Sequence, residues 1–145
     1  MTEAEQLLAI EQIKQVKAGY FRCMDMKDWA GFTAVFTPDA TVDYTPASKD
    51  SSDWKATGAA NAVALVRSLI EQAVSIHHGH MPEIEITGPN HARAIFAMED
   101  LIFWPEGARY KTMHGWGHYH ETYEKIGGKW LIKTLKLTRL RVENT

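Results

Sequence analysis

The stretch that decides the fold is AANAVALVRSLIEQAVSIHHGHMPEIEI, residues 59–86, because its hydrophobic period changes midway. Over residues 59–72 the apolar side chains recur every three or four positions, which is typical of an amphipathic helix. From residue 75 onward apolar and polar side chains alternate, which is typical of a strand with one buried face. The chain is therefore predicted to change from helices to strands shortly after Gln72.

Two further helices are predicted upstream of this change. Thr2 and Glu5 form a capping box, and apolar residues follow at helical spacing up to about Met24. Asp28 is a suitable N-cap for a second, short helix. The segment before the third helix predicts a turn, a strand and a surface loop, at residues 37–40, 41–45 and 46–53.

Downstream, glycine- and proline-containing turns separate four predicted strands, at residues 75–86, 91–104, 110–126 and 129–142. Helices followed by consecutive antiparallel strands are typical of an α+β fold. We predict one domain over residues 1–145, with three N-terminal helices packed on a strongly curved, mostly antiparallel sheet. Such an arrangement would enclose a pocket.

Composition excludes several classes of function. The chain has 16 basic and 18 acidic residues and a formal net charge of -2, so neither nucleic acid nor an anionic membrane surface is an expected partner. A single cysteine, Cys23, excludes an internal disulfide framework. There is no apolar run of ~18 residues and no visible signal peptide, so a cytoplasmic location is expected.

All seven histidines lie between His77 and His120. Two His-x-His pairs would suit zinc, copper or iron, but a metal site needs three or four converging ligands and the spacing brings together only pairs. Neutral imidazole can instead act as a general base near pH 7. We therefore predict no metal and no other cofactor.

Two carboxylates are candidates for chemistry. Asp25 lies at the C-terminal end of the first helix, where the helix dipole disfavours a negative charge. Asp100 interrupts the apolar face of the strand over residues 91–104, so it needs a donor partner or functions as an acid with a raised pKa. The alternatives are a solvated turn residue for Asp25 and a strand end that reaches solvent for Asp100.

Two tyrosines are further candidates. Tyr20 belongs to the inner stripe of the first helix and Tyr44 to the first strand. A phenol in an apolar pocket can polarise a carbonyl or donate a proton to a leaving hydroxyl. An ordinary core role is the alternative for each of them.

The chain resembles the SnoaL-like proteins of the nuclear transport factor two-like superfamily. The likeness lies in YFRCMD at residues 20–25, Asp28-Trp29, FTPDA at 36–40, HHGH at 77–80, Glu99-Asp100, and YEK at 123–125 before the GGKW hairpin. It covers nearly the whole chain and is greatest for the dehydratase branch, which contains scytalone dehydratase and bile acid 7α-dehydratase. The resemblance implies a cone-shaped barrel.

The resemblance also implies roles for individual residues. Asp25 would orient His77, and His77 would be the general base. Tyr20 and Asp100 match positions used in the bile acid enzyme, and Tyr44 matches a carbonyl-polarising tyrosine of scytalone dehydratase. Met24 departs from the scytalone dehydratase pattern, which has a tyrosine there, and Asp100 stands about where that enzyme has a second histidine.

The expected activity is a cofactor-independent dehydratase-like lyase that acts on a small cyclic or aromatic hydroxylated substrate. A retro-aldol C–C lyase, an isomerase with the same dyad, and a non-catalytic binding protein are the alternatives. Related proteins are often trimers or dimers, so a homo-oligomer is expected. The predicted substrate-binding residues are Met24, Trp54, Phe96, Met98, Trp116 and His118.

Overall fold

The computed structural model describes residues 1–46 and 52–145, in which three helices pack against one six-stranded sheet. The helices are α1 (Glu3–Asp25), α2 (Trp29–Ala34) and α3 (Ala59–Ile70). The strands are β1 (Phe36–Asp43), β2 (Lys55–Thr57), β3 (Val74–Gly88), β4 (His91–Phe103), β5 (Thr112–Ile126) and β6 (Lys129–Asn144). A short 3-10 helix, Ser52–Trp54, precedes β2.

The strand order in the sheet is β2-β1-β6-β5-β4-β3. All neighbouring strands are antiparallel except β1 and β6, which are parallel. The predicted α+β fold, a mostly antiparallel sheet on three helices, is confirmed. The sheet is open, with β2 and β3 at its edges, and it is not closed into a barrel.

The predicted helix starts are confirmed. The Thr2 hydroxyl accepts from the Glu5 N–H at 3.1 Å, and the Glu5 carboxylate accepts from the Thr2 N–H at 2.7 Å. Asp28 caps α2 by accepting from the Gly31 N–H at 2.9 Å. These caps satisfy N–H groups that have no partner inside the helix.

Helix α1 ends in a Schellman-type turn. The Asp28 N–H donates to the Cys23 carbonyl at 2.8 Å, and the Lys27 N–H donates to the Met24 carbonyl at 3.1 Å. Lys27 has a φ of 61°, in the left-handed region that favours glycine. Among the non-glycine residues that the structure describes, only Lys27 has a positive φ.

The segment before α3 differs from the prediction. Residues 37–40 lie inside β1, so the predicted turn is wrong. The register between β1 and β6 shifts between Phe36 and Thr41, so the turn-forming residues produce a bulge within a paired strand. Strand β2 was not predicted because it has only three residues. Residues 47–51 of the predicted loop lie outside the described residues.

The inner face of the sheet, which packs on the helices, carries the core. Along β4 alternate residues are buried, as the period-two pattern predicts. The strand registers place His77 opposite Asp100, and Asp100 opposite Gly115. This row crosses three strands near the C-terminal end of α1, where helix and sheet meet.

In the part of the chain that the structure describes, no helix combines the length and the apolar character needed to cross a lipid bilayer.

Candidate active site

The predicted partners Asp25 and His77 are in contact. The last residue of α1, Asp25, has its Oδ1 2.6 Å from Nδ1 of the His77 ring. The other carboxylate oxygen, Oδ2, accepts from the His77 backbone N–H at 2.7 Å. The His77 side chain is 5% exposed and that of Asp25 is 20% exposed. Two hydrogen bonds from one residue to both oxygens fix the carboxylate relative to the ring.

Ser75 and Lys27 extend this contact. The Ser75 hydroxyl donates to Asp25 Oδ1 at 3.0 Å, and Lys27 Nζ donates to the Ser75 hydroxyl at 2.9 Å. Together these donors surround a carboxylate at the helix C-terminus, where the helix dipole alone would disfavour it. Contacts from β3 and from the turn after α1 thus offset the unfavourable position of the Asp25 carboxylate at the end of the helix.

Asp100 lies on the other side of the His77 ring. Its Oδ2 is 3.8 Å from His77 Nε2, beyond hydrogen-bond distance. Asp100 is buried and forms a bidentate ion pair with Arg139 of β6, at 2.5 Å to Nη1 and 2.9 Å to Nη2. The sequence predicted that Asp100 either has a donor partner or functions as an acid. The structure shows the donor partner, which is Arg139.

Gly115 makes room for this pair. A Cβ at residue 115 would lie 2.6 Å from Asp100 Oδ1 and would collide with Arg139 Nη1. The guanidinium crosses β5 at the position where a side chain is missing, which explains a glycine in the middle of a long strand.

The predicted tyrosines contact each other. The hydroxyl groups of Tyr20 and Tyr44 are 2.6 Å apart, and the ring of Tyr119 packs against that of Tyr20 with centroids 5.7 Å apart. Burial raises the pKa of Tyr20, Tyr44 and Tyr119 above the usual value of a phenol. The three hydroxyls are therefore protonated donors near neutral pH.

A buried ion pair lies beneath these rings. Lys17 Nζ is 2.9 Å from Glu121 Oε1, and the two side chains are 1% and 0% exposed. The ammonium lies over Tyr20 and Tyr119, 3.7 and 3.5 Å from the ring centroids. Burial lowers the pKa of Lys17 to about 8 and raises that of Glu121, and the contact between them opposes both shifts.

The predicted substrate-binding residues divide into two groups. Met24, Phe96 and Met98 are buried in the core, and Met98 Sδ is 3.8 Å from Arg139 Nη1. Trp54 is half-buried, and its carbonyl accepts from the Tyr44 N–H at 2.8 Å.

Trp116 and His118 lie on the outer face of β5. Their neighbours Gly115, Gly117 and Tyr119 are buried on the inner face. Because side chains alternate between the two faces, Trp116 and His118 lie on the side of the sheet opposite the dyad, and their role in substrate binding stays a prediction. Two inner glycines leave the inner face of β5 with less side-chain volume than the outer one.

Other histidines also belong to the outer face. His114 Nε2 is 2.8 Å from Glu99, His78 Nδ1 is 3.6 Å from the same carboxylate, and the His114 ring stacks on Trp116. Over residues 1–46 and 52–145, no group of three or more His, Cys, Asp or Glu side chains could hold a metal ion.

Two surface cavities of about 780 and 330 Å³ flank His120 and Lys136 on the outer face of the sheet. Neither is lined by Asp25 or His77. The dyad lies between α1 and the sheet, and the side chains of His77, Asp25 and Arg139 are 5%, 20% and 17% exposed.

Sequence reasoning missed Arg139, Ser75, Lys27 and the Lys17–Glu121 pair. A signal was present for Arg139, because it shares its parity in β6 with Leu135 and Leu137 and so interrupts an apolar face as Asp100 does. The period of α1 likewise places Lys17 on the inner stripe, between Ile13 and Tyr20. The link from Lys27 to Ser75 joins residues 48 positions apart, and no local pattern indicates it.

Fold and site together define an α+β protein with a largely buried Asp–His dyad beside an Asp–Arg ion pair. The chain matches the SnoaL-like domain family over residues 5–136 and belongs to that family. This agrees with the resemblance found in the sequence.

Three similar proteins illustrate the range of this fold. The "Probable cyclase FGR4" of Gibberella zeae is 27% identical over 133 residues, which cover 88% of this chain and 89% of the cyclase. A provisionally assigned scytalone dehydratase of Novosphingobium aromaticivorans has a TM-score of 0.85 at 18% identity, covering 99% of this chain and 92% of the other. A type 2 hexachlorocyclohexane dehydrochlorinase has a TM-score of 0.85 at 15% identity, covering 99% and 93%.

Proposed function

We propose that the protein is a cofactor-independent lyase that removes water from a small cyclic or aromatic β-hydroxy carbonyl compound. The observation that carries the proposal is the 2.6 Å contact between Asp25 Oδ1 and His77 Nδ1, with the His77 side chain almost fully buried. The kinship with proteins named as a dehydratase, a dehydrochlorinase and a cyclase supports an elimination or a related proton transfer.

The dyad suits His77 to general-base catalysis. Asp25 accepts a hydrogen bond from Nδ1–H, which leaves Nε2 with a free lone pair. The second bond, from the His77 N–H to Asp25, prevents the carboxylate from rotating away. A base positioned in this way contributes about 10²–10⁴-fold to a rate.

The Asp100–Arg139 pair suits charge stabilisation. When Nε2 takes up a proton, the Asp100 carboxylate 3.8 Å away stabilises the imidazolium that forms. A guanidinium has five N–H donors, and two of its nitrogens face Asp100, so a donor remains for an enolate oxygen. Because both of its carboxylate oxygens accept from Arg139, we assign Asp100 to charge stabilisation instead of the acid role considered from the sequence. Tyr20 and Tyr44 supply further hydroxyl donors near the site.

The reaction then has two proton transfers. His77 Nε2 removes the proton α to the carbonyl, and the electron pair moves onto the carbonyl oxygen to form an enolate. The enolate collapses, the β C–O bond breaks, and the hydroxyl leaves as water with the proton from Nε2. His77 returns to its neutral state, and the product is a conjugated enone.

The test is a panel of cyclic and aromatic β-hydroxy ketones, with enone formation followed by ultraviolet absorbance. His77→Gln should lower the rate by about 10²–10⁴-fold, since it removes the base and keeps a polar side chain of similar size. His91→Gln is the matched control, because it makes the same exchange at the exposed first residue of β4, and it should retain the wild-type rate.

Other reaction products would indicate a different activity of the same site. Release of an aldehyde that depends on His77 would indicate a retro-aldol lyase, and an isomeric product without water loss would indicate an isomerase. Equal rates for wild type and His77→Gln on a turned-over substrate would refute His77 as the base.

A further inference from the structure

We infer that Lys27 is a positioning residue of the dyad: its ammonium, held by a left-handed turn, fixes Asp25 through the Ser75 hydroxyl and sets the pH at which His77 takes up a proton. A role of Lys27 in catalysis rests on the proposed function. The effect of Lys27 on Asp25 and His77 does not, because it depends only on charge and geometry in the free protein.

The backbone supplies the first argument. Lys27 occupies the position after the α1 C-cap at which glycine is preferred, with a φ of 61°. A side chain in this region is disfavoured by contact between Cβ and the following carbonyl. A residue in a conformation that disfavours it points to a role for its side chain.

The contacts supply the second argument. The Lys27 side chain is half-buried and bends back to the buried Ser75, where Nζ donates to Oγ at 2.9 Å. Because that ammonium occupies an acceptor site of the hydroxyl, the Ser75 proton is directed to Asp25 Oδ1, 3.0 Å away. The same oxygen accepts from His77 Nδ1. An unbroken chain of three hydrogen bonds thus joins the ammonium to the imidazole.

The charges supply the third argument. Among the described residues, the charged groups around the His77 ring are Asp25 at the end of α1, Lys27 behind Ser75, and the Asp100–Arg139 pair from β4 and β6. The carboxylates favour the imidazolium, while the cations oppose it. Arg139 is compensated directly by Asp100, whereas the Lys27 ammonium contacts a neutral hydroxyl. Removing Lys27 should therefore favour protonation of His77.

The test is an NMR titration of protein labelled in its histidine rings, with His77 assigned by its loss in His77→Gln. In Lys27→Gly the titration midpoint of His77 should rise by roughly half a unit to one unit. The melting temperature should equal that of the wild type or exceed it by up to about 3 °C, because glycine relieves the left-handed backbone while one hydrogen bond is lost.

Two further variants complete the design. Ser75→Ala keeps the ammonium and cuts its link to Asp25, so the His77 midpoint should move in the same direction by a smaller amount. Lys14→Gln removes the same charge from α1 eleven residues before Asp25, about 16 Å along the helix, and should leave the midpoint unchanged.

A midpoint that stays at the wild-type value in both Lys27→Gly and Ser75→Ala, in folded protein, would overturn the inference. An equal shift in Lys14→Gln would also overturn it, since the effect would then be one of net charge. Because no substrate enters the titration, a failure of the proposed lyase activity would leave this result intact.

Discussion

The buried Lys17–Glu121 pair allows a quantitative test of how this core tolerates charge. The changes are Lys17→Met, Glu121→Leu and the two combined, each of which replaces a charged side chain with an apolar one of similar size. The two charges are 2.9 Å apart and at most 1% exposed, so neither can regain water when its partner is removed.

The expected magnitudes follow from that burial. Each single change leaves an uncompensated buried charge and should lower the free energy of unfolding by about 3–5 kcal/mol. The double change removes both charges and should lie within about 1 kcal/mol of the wild type, because the lost attraction is offset by the lost desolvation cost. The cycle should therefore show strong coupling between the two residues.

The assay is urea unfolding of all four proteins at pH 7. A Lys17→Met protein as stable as the wild type would refute the reasoning. So would a double variant whose loss equals the sum of the two single losses. Either result would mean that the two charges reach solvent or other partners in solution.

Two glycine substitutions form a matched pair of further predictions. Gly115→Ala should lower the free energy of unfolding by about 3 kcal/mol, because its Cβ would separate Asp100 from Arg139, and a loss below 1 kcal/mol in urea unfolding would contradict that. Gly19→Ala should raise it by about 0.5–1 kcal/mol in the same assay, because residue 19 is helical and its Cβ would lie 3.8 Å from Val35 Cγ1; a loss of stability would contradict this.

Periodicity predicted the helices and the four long strands because each is long enough to repeat its pattern several times. Strand β2, with three residues, is too short to show a period. The turn predicted at residues 37–40 is wrong because pairing with β6, nearly a hundred residues later, overrides a local preference. Turn chemistry is a local property, and strand pairing is not.

The site was partly predictable from the sequence, because some of its residues are unusual for their local position. Asp25 and Asp100 each break a local rule, so the sequence indicates them, and the resemblance supplied His77. The sequence does not indicate which face of β5 carries Trp116, because both faces of this strand contain aromatic residues. The decisive fact is that Arg139 and the β6 backbone approach β5 where residues 115 and 117 have no side chain.

The parallel pairing of β1 with β6 has a consequence for how the chain is made. Strand β1 is complete at Asp43, yet its partner on the sheet side, β6, begins only at Lys129. During synthesis β1 and α1 therefore emerge long before the strand that joins them to the rest of the sheet. The long chain segment between β1 and β6 must be brought into a loop before the two strands pair, which slows folding. Until then one edge of β1 remains unpaired. A nascent chain stalled before Lys129 would thus expose an edge that can pair with other chains.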